Sequence, residues 1–460
     1  MQRTNFRWSK LALTPILCLI LLSNLTLAQQ VKHVILISID GLHPDMYLDK
    51  NWPSPNLRYL MKKGTYSDKL LSVFPSYTYP SHTAMLTGAL PARSGIYFNQ
   101  PIGSNGEWNW FTDKVKVPTL WQILKNAGLT TAAVEWPVSV NKDITYNIPE
   151  IWDVNHPDDR VTEALKYARP GLFEEVQRNA TGKLDSTNFN DNYFSLDENS
   201  ARIAAYIFQT RKPTFMAVHF ACVDGAEHDH GRDADSVRLA LAANDRAIGT
   251  IIEAVEKSKE KASTTIIIVG DHGFATIHQV MRPNMLIKNV PARFIASGGS
   301  CFLYRYNDTK SSDIPKIVKA VTDSLKKLPK DKRSLFRIVD RRELDKMGAD
   351  SAAVLALTAV PGTVFSGSTS AAKTTNHGVG TTIQNSPLDG VFIPTTGGHH
   401  GYDPNIKEMY TGFIAAGAGI IKGGHIQSIS EPDIAVLIAR LLNIEFKTPD
   451  GKLVPGIVKH

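Results

Sequence analysis

Three stretches of the chain, residues 31–40 (VKHVILISID), 214–224 (TFMAVHFACVD) and 264–271 (TTIIIVGD), are near-continuous apolar runs that stop at an aspartate. A strand apolar on both faces belongs inside a sheet covered on both sides, since a sheet with one wet face alternates instead. Between the second and third runs, residues 236–258 set Leu239, Ala243, Ile248, Ile251, Ile252 and Val255 at roughly helical spacing. The order is therefore strand, helix, strand, which makes the two strands parallel. A further unit follows the same grammar: residues 119–128 (TLWQILKNAG) read as a helix closed by glycine, and 130–136 (TTAAVEW) as a strand. A doubly wound α/β sandwich is the economical architecture. In such sheets ligands gather beyond the carboxyl ends of the strands, where Asp40, Asp224 and Asp271 stand.

With 460 residues, 43% of them hydrophobic and 21% charged, the chain can bury a large core. Its first residues are set apart from that core. Arg3, Arg7 and Lys10 precede an apolar run over residues 11–22, and Ala28 offers a small residue for cleavage, so residues 1–28 read as a secretory signal peptide. The run is shorter than the roughly 20 residues a membrane span needs. An exported, periplasmic or secreted protein is expected, without stable membrane insertion after cleavage. Loss of the leader's three basic residues takes the net charge from +7 to +4, too little for a nucleic-acid footprint. Cys18 leaves with the leader. Cys222 and Cys301 either pair or stay as buried thiols, and a thiolate zinc site is excluded.

No repeat or linker divides the remainder, so residues 29–460 read as a single domain. Residues 310–347, where Lys, Arg and Asp surround periodic Ile, Val and Leu, read as a peripheral amphipathic helix. Residues 362–396, heavy in Gly, Ser, Thr and Asn, read as a long surface loop.

Phosphoryl transfer at a two-metal site asks for hard oxygen and borderline nitrogen ligands, and for a hydroxyl that a metal can hold as its alkoxide. Residues 224–228 (DGAEH) set Asp224 and His228 four apart just past a strand end, a weak signal alone. Residues 271–273 (DHG) are sharper, because two adjacent ligand types before a glycine serve little structural purpose beyond a turn or cap. Residues 397–403 (GGHHGYD) add two imidazoles on a closely approachable backbone. Neighbours on an extended chain face opposite ways, so either His399 or His400 faces the site, and the spacing leaves the choice open. In residues 74–88 (FPSYTYPSHTAMLTG), Pro80 suits the first turn of a short helix running to Thr87 and Gly88. Thr78 then sits just before a helix amino terminus, where N–H groups and the dipole favour a phosphate on its hydroxyl. An ordinary N-cap is the other reading of Thr78 at this point.

Taken in order, these parts resemble the nucleotide pyrophosphatase/phosphodiesterase family of the alkaline phosphatase superfamily. The matching pieces are Asp40-Gly41 after a strand, Thr78 in the pattern T-(F/Y)-P-x-H, Asn99 after Gly95-Ile96, Trp136-Pro137, Asp224 with His228, Asp271-His272-Gly273, and His400 before Gly-Tyr-Asp. The resemblance covers essentially the whole mature chain and implies an alkaline-phosphatase-like α/β/α sandwich with a mostly parallel central sheet. It implies two zinc ions, one among Asp40, Thr78, Asp271 and His272 and the other on Asp224, His228 and His400, other divalent metals being compatible with the same donors. By the same match His399 is a spectator or a group behind the ligands. Thr78 is the implied nucleophile, and Asn99 donates to a non-bridging phosphoryl oxygen. Tyr79 and Trp136 line the pocket for a small phosphodiester or nucleotide substrate. Val138 departs from the pattern, since many relatives have glycine there. His82 reads as a packing group, and His219, His230, His278 and His377 have no motif context.

The expected activity is hydrolysis of phosphodiester or phosphoanhydride bonds through a phosphothreonine. A phosphate monoesterase or phosphonate hydrolase with the same metals is the nearest alternative, yet no K-x-R segment between Asn99 and Asp224 matches the added pocket cations of some monoesterases. A non-catalytic metal-binding scaffold is the alternative of another class, and it has no use for Thr78 or Asn99. A phosphomutase is disfavoured by export.

Overall fold

A computed structural model describes residues 30–190, 194–369, 388 and 390–459. Eight strands form the main sheet: β1 (His33–Ile39), β2 (Thr65–Ser67), β3 (Thr131–Val134), β4 (Tyr146–Ile148), β5 (Phe215–Phe220), β6 (Thr264–Val269), β7 (Phe413–Gly417) and β8 (Gly424–Ile426). Their spatial order is β8-β2-β7-β6-β1-β5-β3-β4. Only β7 runs against its neighbours, so the sheet is mostly parallel. The three apolar runs are thus the adjacent central strands β6, β1 and β5.

Six helices matter for the site and its support: α1 (Thr78–Thr87), α2 (Leu120–Asn126), α3 (Ser195–Arg211), α4 (Cys222–His230), α5 (Asp235–Glu256) and α6 (Glu431–Leu441). The central strands send alternate side chains to two different cores. Ile35, Ile37, Met216, Val218, Ile266 and Ile268 pack with α3 and α5, whereas Val34, Leu36, Phe215, Ala217, Ile267 and Val269 pack with α1, α2 and α6. Both faces are dry, which is why these strands carry apolar residues on both faces rather than at every second position alone.

The helix expected over residues 236–258 is α5, but Leu239 is 64% exposed. The buried stripe runs through Val237, Ala240, Leu241, Ile248 and Ile251, and Leu239 lies off it by most of a half turn. The expected unit over 119–128 is α2, whose N-cap Thr119 forms a capping box with Gln122.

Residues 310–347 are not one helix. Ile314–Lys326 is an amphipathic helix that buries Ile317, Val321 and Leu325; then come short helices at Lys330–Arg333 and Arg341–Lys346 with the strand Phe336–Val339 between them. That strand joins a separate antiparallel sheet with Ala292–Ser297, Ser300–Arg305 and Leu355–Ala359. The segment expected as a surface loop over 362–396 also enters a sheet, because Thr363–Phe365 and Phe392–Pro394 both pair with Gln279–Met281. The signal peptide with Cys18, and residues 370–387 with His377, lie outside the described residues. Among the described residues no helix is long and apolar enough to cross a membrane. Cys222 and Cys301 are both buried, each in a different hydrophobic core, and are not joined by a disulfide, so the pairing alternative does not hold.

The start of α4 is fixed by one buried carboxylate. Asp197 of α3 accepts the N–H groups of Ala221 at 2.9 Å and Cys222 at 3.0 Å, and Asn244 of α5 donates to it at 2.6 Å. It ties three helices together at the end of β5. Replacing it with alanine removes a cap and strands the Asn244 amide. Asp197→Ala is therefore expected to cost about 2 kcal/mol in urea unfolding, and a loss below ~0.5 kcal/mol would show that α4 does not depend on this cap.

Candidate active site

The sheet delivers its aspartates to one edge. Asp40 follows β1 directly, and its N–H still donates to Phe220 O of β5 at 2.9 Å. The chain then turns at Gly41, where φ is +77° and a Cβ would meet Glu227 and the Phe274 ring, so only glycine fits. The Gly41 N–H in turn donates to Asp271 Oδ1 at 3.2 Å, which couples the ends of β1 and β6. Asp271 and His272 follow β6 through Gly270. Gly273 ends the pair because a Cβ there would lie 2.1 Å from Glu408 O.

Asp224 and His228 lie one turn apart on α4, so the weak four-residue spacing resolves as a helix face. Thr78 is the first residue of α1. Tyr77 is the N-cap and makes no side-chain capping bond, so Thr78 stands inside the helix start rather than ahead of it and is no N-cap. Its hydroxyl is free for other work. His400 follows the short strand Gly398–His399, which pairs with Ala275–Thr276 just beyond Asp271 and His272.

His272 Nε2 is the centre of the cluster. It lies 3.1 Å from Asp40 Oδ1, 3.3 Å from Asp271 Oδ2, 3.4 Å from Thr78 Oγ1 and 3.9 Å from Asp224 Oδ1. Asp224 Oδ1 is also 3.5 Å from His228 Nε2 and 3.8 Å from His400 Nε2, and the His272 and His400 rings stack at 3.6 Å. Potential ligand atoms within 4.8 Å of one another fall into three groups among the described residues: Asp40 with Asp271 and His272, Asp224 with His272 and His400, and His228 with His399 and His400. The first group is three of the four expected members of one set. The other expected set, Asp224, His228 and His400, is divided between the second and third groups. His399, expected as a spectator, joins the third.

The electrostatics suit a cation. Asp40 and Asp271 are buried side by side, and neither Asp40 Oδ1 nor Asp271 Oδ2 receives a hydrogen bond of good geometry. Burial, then the neighbouring Asp40, pushes Asp271 up to about 8. Burial also opposes charge on Asp40, but His272 and His219 outweigh it and hold that carboxyl low. Burial drives His228 down to about 4 and His400 well below the usual range, so both rings are neutral, the form that binds metal. Two buried carboxylates around His272, with the neutral rings of His228 and His400 beside them, fit a divalent metal by donor chemistry and by charge.

Two supporting groups stand behind the cluster, His219 outside any sequence motif and His82 as the last residue of T-(F/Y)-P-x-H. His219 on β5 donates from Nε2 to Asp40 Oδ2 and from Nδ1 to Glu135 O, each at 3.1 Å. Burial disfavours its charge, but the hydrogen bond to Asp40 prevails and lifts it to about 9. Its place beside Ser38 of β1 is visible only once the register of the two strands is known. His82 Nδ1 donates to Thr78 O at 2.7 Å and so fixes the first turn of α1. His230 and His278 are exposed and stand apart from the cluster.

Asn99 accepts the Tyr79 N–H on Oδ1 at 3.0 Å, which assigns the two ends of its amide and leaves Nδ2 as its donor. Tyr79 and Trp136 do not line an open pocket. Both are 0% exposed. Tyr79 packs among Ile96, Trp110 and Val138 under the Trp108 ring, and Trp136 stands edge-on to His82 in the core. Close packing has absorbed both rings, so the stacking expected of Tyr79 has no free face.

The sequence profile of the family described as type I phosphodiesterase / nucleotide pyrophosphatase matches residues 34–403. The venom phosphodiesterase CdcPDE of Crotalus durissus collilineatus is 23% identical over 91% of this chain and 45% of its own length. Ectonucleotide pyrophosphatase/phosphodiesterase family member 5 of Homo sapiens is 23% identical over 55% of this chain and 46% of its own. The chain thus spans about half the length of these curated relatives. Solved structures of murine and human ectonucleotide pyrophosphatase/phosphodiesterase 5 superpose with TM-scores of 0.63 and 0.64 at 18% and 17% identity. They cover 92% and 91% of this chain and 100% and 97% of the solved chains, and share its fold. A further murine structure, an inactive form in complex with AMP, superposes at 0.63 and 18% identity over 92% of this chain and 97% of its own. With the profile matched over most of its length, this chain belongs to the type I phosphodiesterase / nucleotide pyrophosphatase family.

Proposed function

We propose that this protein is an exported phosphodiesterase or nucleotide pyrophosphatase, a single catalytic domain over residues 29–460, that works through a phosphothreonine on Thr78. The observation that carries the reading is the hydroxyl of Thr78 at the start of α1, 3.4 Å from His272 Nε2 inside the carboxylate and imidazole cluster. The relatives add support: one is named a bis(5'-adenosyl)-triphosphatase, from Bos taurus, and another was solved with AMP. A small nucleotide or other phosphodiester is the substrate class.

Asp40, Thr78, Asp271 and His272 would hold one zinc ion, and Asp224, His228 and His400 a second. Bound there, the metal supplies Lewis acidity that lowers the pKa of the hydroxyl and offsets charge on the phosphoryl oxygens. Thr78 Oγ1 attacks phosphorus in line; its bond to phosphorus forms as the bond to the leaving oxygen breaks. Water then attacks the phosphothreonine and restores the hydroxyl. Helix α1 presents its amino end to the bound phosphate, and Asn99 Nδ2 donates to a non-bridging oxygen. No separate general base is required.

Thr78→Ala is expected to lower diester turnover by at least about 10³-fold while metal content stays within one ion of the parent; retained turnover would remove Thr78 as nucleophile. Turnover of a bis-aryl phosphate, a nucleotide aryl ester and a mono-aryl phosphate on the same preparation should favour the diesters. A preference for the monoester would reassign the protein as a monoesterase.

The metal leaves a signature in stability. In metal-stripped protein Asp271 and His219 hold protons in the fold, up to about 8 and about 9, that the unfolded chain releases by about 3.9 and 6.5. Both therefore withdraw stability as pH rises from 6.5 to 9, as does Glu135, which burial lifts to about 8 outside the ligand set, so the metal is read from the part of the loss that zinc reverses. His228, neutral down to about 4 in the fold, adds stability only as pH climbs to about 6.5 and cancels nothing above it. Thermal denaturation after chelation should accordingly fall by several degrees between pH 6.5 and 9, and zinc should stabilise more at the higher pH. A flat profile, or an equal gain at both pH values, would contradict metal binding at Asp271.

A further inference from the structure

The tandem histidines differ in which nitrogen carries the proton. His400 Nδ1 lies 2.9 Å from Ser76 O, and His228 Nδ1 lies 3.1 Å from Gly398 O. A carbonyl only accepts, so both Nδ1 atoms are protonated and both Nε2 atoms keep a lone pair. His399 is the reverse. Its Nδ1 accepts the backbone N–H of His400 at 3.0 Å, which uses that lone pair and places the proton of a neutral ring on Nε2. Although a ring nitrogen of His399 is within 4.8 Å of those of His228 and His400, the ring has no lone pair to give a cation. What it has to give is an N–H.

Its place in the site suits a donor. The ring is partly exposed, with centroids 4.9 Å from His228, 5.2 Å from His400 and 6.4 Å from Tyr77. It is also seated against backbone, since a Cβ on Gly298 would meet His399 Nδ1 at 2.6 Å. His399 groups with the part-exposed His228, whereas Thr78 sits with His272 and the buried carboxylates. In-line attack expels the leaving oxygen on the side away from the nucleophile. His399 and His228 are the partly exposed imidazoles of the cluster, whereas Thr78, Asp40, Asp271 and His272 are buried.

We infer that His399 is a catalytic hydrogen-bond donor, its Nε2–H directed to the leaving-group oxygen, and that it is not a metal ligand. The inference rests on the phosphodiesterase reading above. As the bond from Thr78 Oγ1 to phosphorus forms and the bond to the leaving oxygen breaks, charge grows on that oxygen and the hydrogen bond strengthens. The proton stays on His399, and the departing oxygen takes its own proton from water. Such a donor matters more for a basic leaving group than for a stable anion.

The test uses His399→Ala and His399→Gln in the metal-loaded full chain, because the glutamine amide N–H can stand where Nε2–H stood. Diesters with nitrophenolate and alkoxide leaving groups are compared. His399→Ala is expected to lose at least about tenfold more turnover on the alkoxide ester than on the nitrophenolate ester, with His399→Gln restoring most of it and metal content unchanged in both. Equal losses on the two esters, no loss, or no recovery with glutamine would overturn the assignment. So would the loss of one metal ion in His399→Ala, which would make the residue a ligand. Thr78→Ala, run alongside, separates the two readings: retained turnover, or a parent protein that hydrolyses neither ester, defeats the phosphodiesterase proposal instead. Nitrogen-15 NMR of histidine-labelled protein then decides His399 by itself, a proton on Nε2 upholding the donor and a proton on Nδ1 overturning it.

Discussion

Two carboxylates, Asp40 and Asp271, are forced together out of water at the ends of adjacent parallel strands, and much of the surrounding structure answers that constraint. An isolated buried charge is expensive unless it is paired, and two like charges side by side more so. The sheet leaves them no alternative, because β1 and β6 are hydrogen-bonded in register and dry on both faces. Relief comes from His272 between them and His219 behind Asp40. A divalent cation held there, as proposed, would complete the compensation. On this account the site is where the fold has concentrated its unfavourable charge, and ligand binding is what that charge is for.

The imidazoles are set by the backbone rather than by one another. Ser76 O fixes His400, Gly398 O fixes His228, and the His400 N–H fixes His399. A neutral histidine has one donor and one acceptor nitrogen, so each backbone contact decides what the other nitrogen does. Neighbouring rings of the same residue type thereby serve opposite purposes. The two outward lone pairs and the one outward N–H are a property of the turn at residues 397–401 as a whole, and repositioning that turn would change all of them together.

The parts of this arrangement that were legible in the sequence are those encoded by local pattern. Strands β1, β5 and β6 announced themselves by near-continuous apolar runs, and Asp40 and Asp271 followed from where β1 and β6 end, whereas the second run overreached: β5 stops at Phe220 and Asp224 belongs to α4. Thr78 and His400 were ambiguous locally, as cap or nucleophile and as one of a pair, and the family resemblance was needed to choose between readings. His219 was out of reach, since its partner Asp40 is distant in sequence and meets it only through strand register. The antiparallel sheet containing Phe336–Val339 was missed for a related reason. Its edge strand is only four residues long and sits between helices, so helical periodicity on either side dominated the signal.

The pocket residues show the same limit most sharply, and Val138 explains why. The family resemblance leads one to expect glycine where this chain has Val138, and the backbone there takes a left-handed φ of +57°. For a β-branched residue that conformation costs about 1–2 kcal/mol. Val138 is 4% exposed, and burying such a side chain returns roughly 1.5–3 kcal/mol, enough to offset the strain. The apolar cluster it joins also holds Tyr79, Ile96, Trp110 and Ile151, with Trp108 and Trp152 packed against it. A glycine at this position would leave part of that cluster unfilled beside Tyr79. The substitution therefore trades backbone comfort for a closed aromatic core, and it leaves the half-buried Trp108 and Trp152 at the margin of that core, with Tyr79 inside it.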